Sequence, residues 1–400
     1  MHELDDAETS HAVTQAGMPR VLHVTTVHTP FDTRIFQKEV RSLAAAGYDV
    51  RLATNVRVPE CVDGISLIPL QRAGSSGDGR LVRIPKNVRA LREMLRDYDL
   101  IHIHDPELLI NAAICLILGR RVIYDVHEFY HERMLDAHWI PAWLRPLVKA
   151  AYTGIERVLL PRLSGVVLVS DDMLPHYRRY VRPQRLAVVK NYPNITPEQH
   201  QRACKAASPL AEPYIIHTGG VSRLRAFDIM VAAAEQLRLL GSRAPIVNIG
   251  AIDLSAFSTP EQTALLARAQ RADVRMLGRV DFEESLSWIA HARIGYMPLV
   301  FSANNARGMP QKMFEYFRFG LPTVACDFGI VRDIINAHHA GVLVPHDVPA
   351  LHAAALQKLL CDDAWHSTLA ASARNAGAHY SFSAEFKNLV SLYQAVLGTR

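Results

Sequence analysis

Two runs of the same pattern, split by a proline-rich interval, constrain this chain more than any other feature. From Arg20, short β-branched stretches alternate with longer amphipathic segments. VLHVTTV (21–27) reads as a strand, followed by a helix over 34–46 that stops at Gly47. YDVRLATN (48–55), ISLIPL (65–70), LIHIHD (100–105), RVIYDVHE (121–128), GVVLVS (165–170) and LAVVKN (186–191) continue the run, with helical patterns between them. Residues 193–212, with Pro193, Pro197 and Pro209, read as a linker. The pattern then restarts with YIIHTGG (214–220), a helix over 226–240, PIVNIGA (245–251), VRMLG (274–278), IGYMPL (294–299), PTVACD (322–327) and GVLVP (341–345). Helices are predicted over 282–292, 311–319 and 383–397. Strands separated by helices imply βαβ units and parallel sheets. The expectation is α/β: two doubly wound domains, 19–192 and 213–382, after a disordered lead over 1–18. Ligands of such sheets bind outside the carboxyl ends of the strands, so the cleft between two such domains is the expected site.

Composition excludes several classes. The five cysteines (Cys61, Cys115, Cys204, Cys326, Cys361) are far apart and lack CxxC spacing, against a disulfide framework or structural zinc and for a reducing cytoplasm. A net charge of +5, from 44 basic and 39 acidic residues, does not mark a nucleic-acid binder. The N-terminal stretch carries four acidic residues before Arg20 and no apolar h-region, so no secretory signal is expected. The longest apolar stretch, 108–118, is about half of the roughly 20 residues that span a bilayer.

Three stretches carry chemistry. Gly219-Gly220 follows a strand and precedes a helix, with Arg223 and Arg225 in the turn; glycines let backbone approach a ligand, and arginines favour phosphate. In NNARGMPQKMFEYFRFGLPTVACD (304–327), Pro310 can open a helix, which sets Lys312 and Glu315 one turn apart near its start. A carboxylate there can grip a ribose diol while the lysine faces phosphate, or the two can simply form a local ion pair. In the first half, His28 with Asp32 and Arg34, His102 with His104 and Asp105, and Asp125 with His127 and Glu128 are predicted at the carboxyl edge of the sheet. Such spacing constrains geometry too loosely for a metal site to be expected, and binding of sugar hydroxyls fits better. No G-x-S-x-G, P-loop or G-x-G-x-x-G occurs, against hydrolase, kinase and dehydrogenase chemistry. A helix beginning near Pro85 sets Lys86, Arg89, Arg92 and Arg96 on one arc. Its plain reading is a solvated face; its sharper one is a patch for an anionic membrane surface, with Trp139, Ile140, Trp143 and Leu144 as an interfacial foot.

Taken in order, VHTPFDTRIFQKEVRSLAAAGYDV, HIHDPELL, YDVHEFY, HTGGVSRLRA and PQKMFEYFRFGLPTVACD resemble the retaining glycosyltransferases of family 4, in their FEY-type branch. The resemblance covers about 20–397. It implies the GT-B fold, two Rossmann-like domains with acceptor in the first and nucleotide-sugar in the second, and a last helix over 383–400 that returns to the first domain. It implies that Glu315 bonds the donor ribose, that Arg225 takes the place of a diphosphate-binding lysine, and that Lys312 is a second phosphate contact. Gly308, Met309 and Pro310 would approach phosphate and sugar, with Gly219, Gly220 and Arg223 in the donor turn. His127 would contact the donor sugar, Asp105 would lie near the reacting centre, and His28, Asp32 and Arg34 would serve the acceptor side.

Two positions depart from the family pattern. Arg307 stands where the first glutamate of E-x7-E is usual, and Gly220 where a basic residue is usual. The implied reaction is transfer of a hexose-type sugar from a nucleotide-diphosphate sugar, UDP ahead of GDP, to a glycan, lipid-linked or small-molecule hydroxyl. Configuration is retained, and neither metal nor dedicated base is needed. The implied setting is polysaccharide biosynthesis, in the cytoplasm or at the inner face of the membrane. The alternatives are a nucleotide-sugar epimerase and an inactive nucleotide-sugar binder.

Overall fold

The computed structural model describes residues 18–70, 97–130, 141 and 143–398. The chain forms two compact units, one made of 1–190 with 382–400 and the other of 191–381. The basic arc of Lys86, Arg89, Arg92 and Arg96, the lead over 1–17, Trp139 and Ile140 lie outside the described residues. No helix among the described residues is long and apolar enough to cross a membrane.

The first unit holds β1 (Arg20–Val24), β2 (Asp49–Thr54), β3 (Glu60–Val62), β4 (Ile65–Pro69), β5 (Leu100–Ile103), β6 (Arg121–Val126), β7 (Gly165–Leu168) and β8 (Leu186–Val188). They lie in the order β3-β4-β2-β1-β5-β6-β7-β8, parallel throughout except for the β3–β4 pair. That pair is a hairpin closed by Asp63 and Gly64, both at positive φ (53° and 77°), which suits the right-handed twist of its strands. Strand side chains alternate between two layers. Leu22, Val24, Ile101, Ile103 and Tyr124 pack with Leu109, Ala112 and Tyr152 from the helices Leu109–Ile117 and Arg145–Leu159. Val21, Leu100, Ile123 and Val167 pack on the other face with Ile35, Phe36 and Val40. Phe382, Leu389, Leu392 and Tyr393 of the terminal helix, Phe382–Leu397, close that layer. His23, His102 and Asp125 share this second face, two residues on from Val21, Leu100 and Ile123.

The second unit holds β9 (Ile215–Thr218), β10 (Ile246–Ile249), β11 (Val274–Met276), β12 (Ile294–Met297), β13 (Thr323–Cys326) and β14 (Gly341–Val344), all parallel, in the order β11-β10-β9-β12-β13-β14. In both sheets the strand order reverses beside the first strand, between β1 and β5 and between β9 and β12. A crevice opens at such a reversal outside the carboxyl ends, because the two connections leave in opposite directions. The interval 193–212, read as a linker, contains a helix, Pro197–Lys205. Thr196 and Gln199 cap it reciprocally, and Arg202 pairs with Glu283 of helix Phe282–His291. Pro197 sits at its first position, where a missing N–H costs nothing.

Helix Gln311–Arg318 buries Met313, Phe314, Tyr316 and Phe317. Tyr316 lies flat against β12, where a Cβ on Gly295 would come 2.3 Å from its ring. The phenol oxygen then accepts hydrogen bonds from the Thr218 N–H (2.7 Å) and hydroxyl (3.2 Å) at the end of β9. Gly295→Ala should therefore lower stability by about 1–3 kcal/mol through overpacking, read by urea unfolding. An unchanged midpoint would show that the helix seats without this contact.

Candidate functional site

In the second unit the turn after β9 is built around close backbone packing. The Gly219 N–H donates to the Ile249 carbonyl (2.6 Å), and Gly250 approaches so tightly that its Cβ would fall 2.2 Å from the Gly219 carbonyl carbon. Gly219 takes φ +122°, a region open to glycine. Lys312, from helix Gln311–Arg318, reaches this turn from the other side of the strand reversal. Its Nζ lies 2.8 Å from where a Gly219 Cβ would stand, and an Arg225 guanidinium nitrogen lies 3.5 Å from that same point. Two cations from separate elements therefore converge on one glycine.

His217, buried in β9, fixes the lysine's place. Its Nδ1 donates to the Tyr296 carbonyl (2.9 Å), so Nε2 is the bare nitrogen that accepts from the Lys312 amine at 3.3 Å. Burial first, then the charge of Lys312, keeps the His217 ring neutral. Lys312 itself is pushed down to about 7 by burial and by the Arg225 charge, with Glu315 acting weakly the other way. Glu315 accepts from the Gln311 side chain (2.7 Å) and lies one turn from Lys312. Pro310 caps the helix start in extended conformation rather than standing inside it. Gly308 is exposed, and Met309 packs partly against the apolar cluster around Phe314. Arg223 does not join this group. It pairs with Glu261 (3.2 Å), donates to the Ala256 carbonyl and stacks 4.1 Å over Phe257.

In the first unit, Asp125 at the end of β6 is fully buried and grips Arg34 through two hydrogen bonds, 2.9 Å and 3.0 Å. The third guanidinium nitrogen donates to the Val189 carbonyl (2.8 Å). Arg34, expected on the acceptor side, is thus an internal strut, only 4% exposed. Burial works against ionisation of Asp125, but Arg34 and the neighbouring histidines hold its carboxyl well below the usual range. Glu39, beside them, goes the other way, raised by burial and by the Asp125 charge.

Asp105 anchors the loop after β1. One oxygen accepts from the Thr25 hydroxyl (2.8 Å) and the Thr26 N–H (2.6 Å), and the other lies 3.6 Å from His28 Nε2. Asp32 accepts from the N–H groups of Arg34 and Ile35 and from His28 Nδ1 (3.2 Å), holding the π-helical turn Ile35–Val40 against this loop. Burial opposes a charge on His28, yet the Asp32 hydrogen bond and the charges of Asp105 and Asp125 raise its pKa. Its ring lies 4.8 Å from that of His127, whose Nε2 is 3.2 Å from Asp125. His28 and His127 form the solvent-reaching pair of this unit, standing on Asp105 and Asp125.

His102 differs from expectation. It lies inside β5, fully buried opposite His23 of β1, because the strand begins at Leu100 and reaches its carboxyl end only after Ile103. His23, Glu39, His102 and His104 bring ligand-type atoms within 4.8 Å of one another, as do His104, Asp125 and His127. The imidazoles of the first group already contact one another and Tyr393. His23, Glu39, Tyr393, His217 and Gly250 had no functional place in the sequence reading. His23 and His217 carry a signal, each a polar residue on the inward side of an apolar strand.

Residues 33–192 match the family described as glycosyl transferase 4-like domain, and 212–362 match glycosyl transferases group 1. A D-inositol 3-phosphate glycosyltransferase of Salinispora arenicola is 25% identical over 386 residues, spanning 88% of this chain and 84% of its own. Sucrose-phosphate synthase from Thermosynechococcus elongatus has a similar fold at 17% identity, TM-score 0.69, over 94% of this chain and 98% of that one. Anabaena HepE in complex with UDP-glucose aligns at 14% identity, TM-score 0.64, over 94% of this chain and all of that one (100%).

Proposed function

The chain belongs to the family 4 glycosyltransferases of GT-B fold, and from that premise we propose that it draws on a nucleotide-diphosphate sugar. The observation that carries the reading is the convergence of Lys312 and Arg225 on Gly219, with Glu315 one turn along the same helix. A diphosphate set against the glycine turn would meet both cations, while the carboxylate would take the ribose diol. UDP is preferred over GDP, a choice supported by the UDP-glucose complex of the structurally similar HepE.

The reaction moves a hexose-type sugar to a hydroxyl of a glycan, lipid-linked or small-molecule acceptor with retained configuration. Negative charge grows on the diphosphate as the glycosidic bond breaks. Arg225 and Lys312 are placed to meet that charge, and a diphosphate oxygen takes the acceptor's proton, so the step is assigned no metal and no dedicated base. His28 and His127 offer polar atoms to sugar hydroxyls in the first unit.

Three measurements test this. UDP at about 100 times its Kd should stabilise the wild type by about 2.7 kcal/mol, visible as a thermal shift, and Glu315→Ala should lose most of it. No shift with UDP, GDP or ADP would reduce Lys312 and Glu315 to an ordinary helix start. Lys312→Ala and Arg225→Ala should each lower kcat by roughly 100- to 1000-fold, the usual cost of removing one donor that meets developing charge. A loss confined to the acceptor KM would overturn the assignment.

The third concerns pH. The free Lys312 amine loses its proton through about pH 7, and UDP binds the charged form. The UDP Kd should then rise by about tenfold per pH unit between about 7 and 9, and Lys312→Met should flatten that slope. Calorimetry across this range checks the sign; equal slopes in both proteins would exclude Lys312 from the phosphate site.

A further inference from the structure

A row of hydrogen bonds crosses the buried face of the first sheet. His127 Nε2 lies 3.2 Å from Asp125 Oδ2 and 3.2 Å from His104 Nδ1. His104 Nε2 lies 2.9 Å from His23 Nδ1. His23 Nε2 lies 3.0 Å from the Tyr393 hydroxyl, which lies 2.7 Å from His102 Nδ1. The row thus begins at a histidine that reaches solvent, passes through Tyr393 of the terminal helix and ends at His102 of β5. We propose that Tyr393 is a positioning residue for His127: its hydroxyl sets the direction of a hydrogen-bond chain, through His23 and His104, to the carboxylate on which His127 rests.

The direction follows from counting protons. His23, His102 and His104 are fully buried, and burial first of all keeps each ring neutral, so each has one N–H to place. Asp125 is an anion and can only accept. Asp125 Oδ2 receives both the His104 Nδ1–H (3.4 Å) and the His127 Nε2–H (3.2 Å), so His104 and His127 meet as two donors on one shared acceptor, and His104 Nε2 is left to accept from His23 Nδ1–H. His23 Nε2 then accepts from the Tyr393 hydroxyl, and the Tyr393 oxygen accepts from His102 Nδ1–H. His102 Nε2 is left as a bare lone pair, and it is indeed a buried nitrogen without a hydrogen-bond partner. The opposite direction turns a bare His104 nitrogen to the carboxylate at 3.4 Å and leaves the unpartnered His102 nitrogen as an N–H instead of a lone pair.

Tyr393 is the one hydroxyl in the row, able to donate on one side and accept on the other. Phenylalanine there frees the His23 and His104 protons to reverse. Asp125 then loses a donor, and the carboxylate on which His127 rests is held less firmly. A His127 ring seated with Nε2–H on Asp125 presents Nδ1 to accept from a sugar hydroxyl, and a ring that leaves this seat does not. The other charged groups around His127 are His28 and Asp32 from the loop and turn after β1, Asp105 after β5, and Arg34 and Glu39 around Asp125. None of these touches Tyr393 by a hydrogen bond, so a Tyr393 variant addresses the row alone.

The importance of His127 rests on the transferase reading, and the test separates the two. The full chain is labelled with 15N-histidine, rings are assigned by single His→Gln variants, and wild type is compared with Tyr393→Phe and Leu392→Val. Leu392 is a buried apolar neighbour on the same helix. Tyr393→Phe should shift His104 away from a pure Nδ1–H signature and move the His127 ring-nitrogen resonances. With UDP-glucose as donor, kcat should fall roughly tenfold, a fraction of the usual effect of proton-handling groups, while the donor KM stays within about twofold. Leu392→Val should lower Tm and leave spectra and kcat unchanged. If Tyr393→Phe lowers Tm but leaves the His104 and His127 ring-nitrogen signatures at wild-type values, the proposal is wrong. A wild type that turns over no nucleotide-sugar would defeat the transferase reading, and the spectra would still decide the hydrogen-bond row.

Discussion

The first unit depends on one ion pair. Asp125 is a carboxylate with no access to water, and such a charge is tolerated only when a partner and hydrogen bonds replace its hydration. Arg34 supplies both, and in doing so joins the turn after β1, the end of β6 and the Val189 carbonyl beyond β8. Removing either partner would leave the other charged and buried, at a cost of about 3–5 kcal/mol. The pair also sets the protonation of its surroundings. With Asp125 ionised, the Glu39 carboxyl is pushed up by burial and by that neighbouring charge, His104 turns its N–H towards the carboxylate, and His127 gains a fixed seat. An arginine that looks from sequence like a ligand contact is thus the condition for His104 and His127 to be ordered.

The second unit reaches order by the opposite route. Its turn is shaped by backbone contact rather than by charge neutralisation: Gly250 against Gly219, and Tyr316 against Gly295 and Thr218. That leaves Lys312 and Arg225 facing one another's charge across a glycine, with a neutral histidine nitrogen to receive the amine. Burial first, and then the Arg225 charge, lowers the amine's proton affinity.

Much of this was legible in the chain. Alternating runs placed the long parallel strands, because β-branched apolar stretches bounded by glycine and proline have few other homes. The stretch around Lys312 and Glu315 was legible for the same reason, since a helix start after Pro310 fixes which side chains share a turn. What escaped needed a partner distant in sequence. Arg34 and Asp125 are 91 residues apart, and Tyr393 meets His23 across 370. Nothing in the local pattern of the terminal helix distinguishes Tyr393 from an ordinary core aromatic. The helix Pro197–Lys205 escaped because its prolines suggested a linker, although Thr196 and Gln199 spell a capping box. Asp63-Gly64 is itself a hairpin signal, but the strands on either side of it are too short to stand out by alternation.

Under the proposed reading, the two charge strategies suit the two halves of a transfer. A group that binds sugar hydroxyls gains from rigid, neutral donors and acceptors, whose orientation carries the selectivity; a buried carboxylate with matched partners provides that. A group that stabilises a departing diphosphate gains from positive charge left uncompensated beforehand. The departing diphosphate carries more negative charge than the sugar ester it leaves, so cations held at fixed positions bind it better as the bond breaks, and only such differential binding lowers the barrier. Had Glu315 been placed to neutralise Lys312 fully, the donor would meet a site already satisfied. Instead Gln311 occupies a Glu315 oxygen, and His217 offers the amine a lone pair without a charge. The amine is held in place while its charge stays available, and a residue that orients a cation without cancelling it is what this chemistry requires.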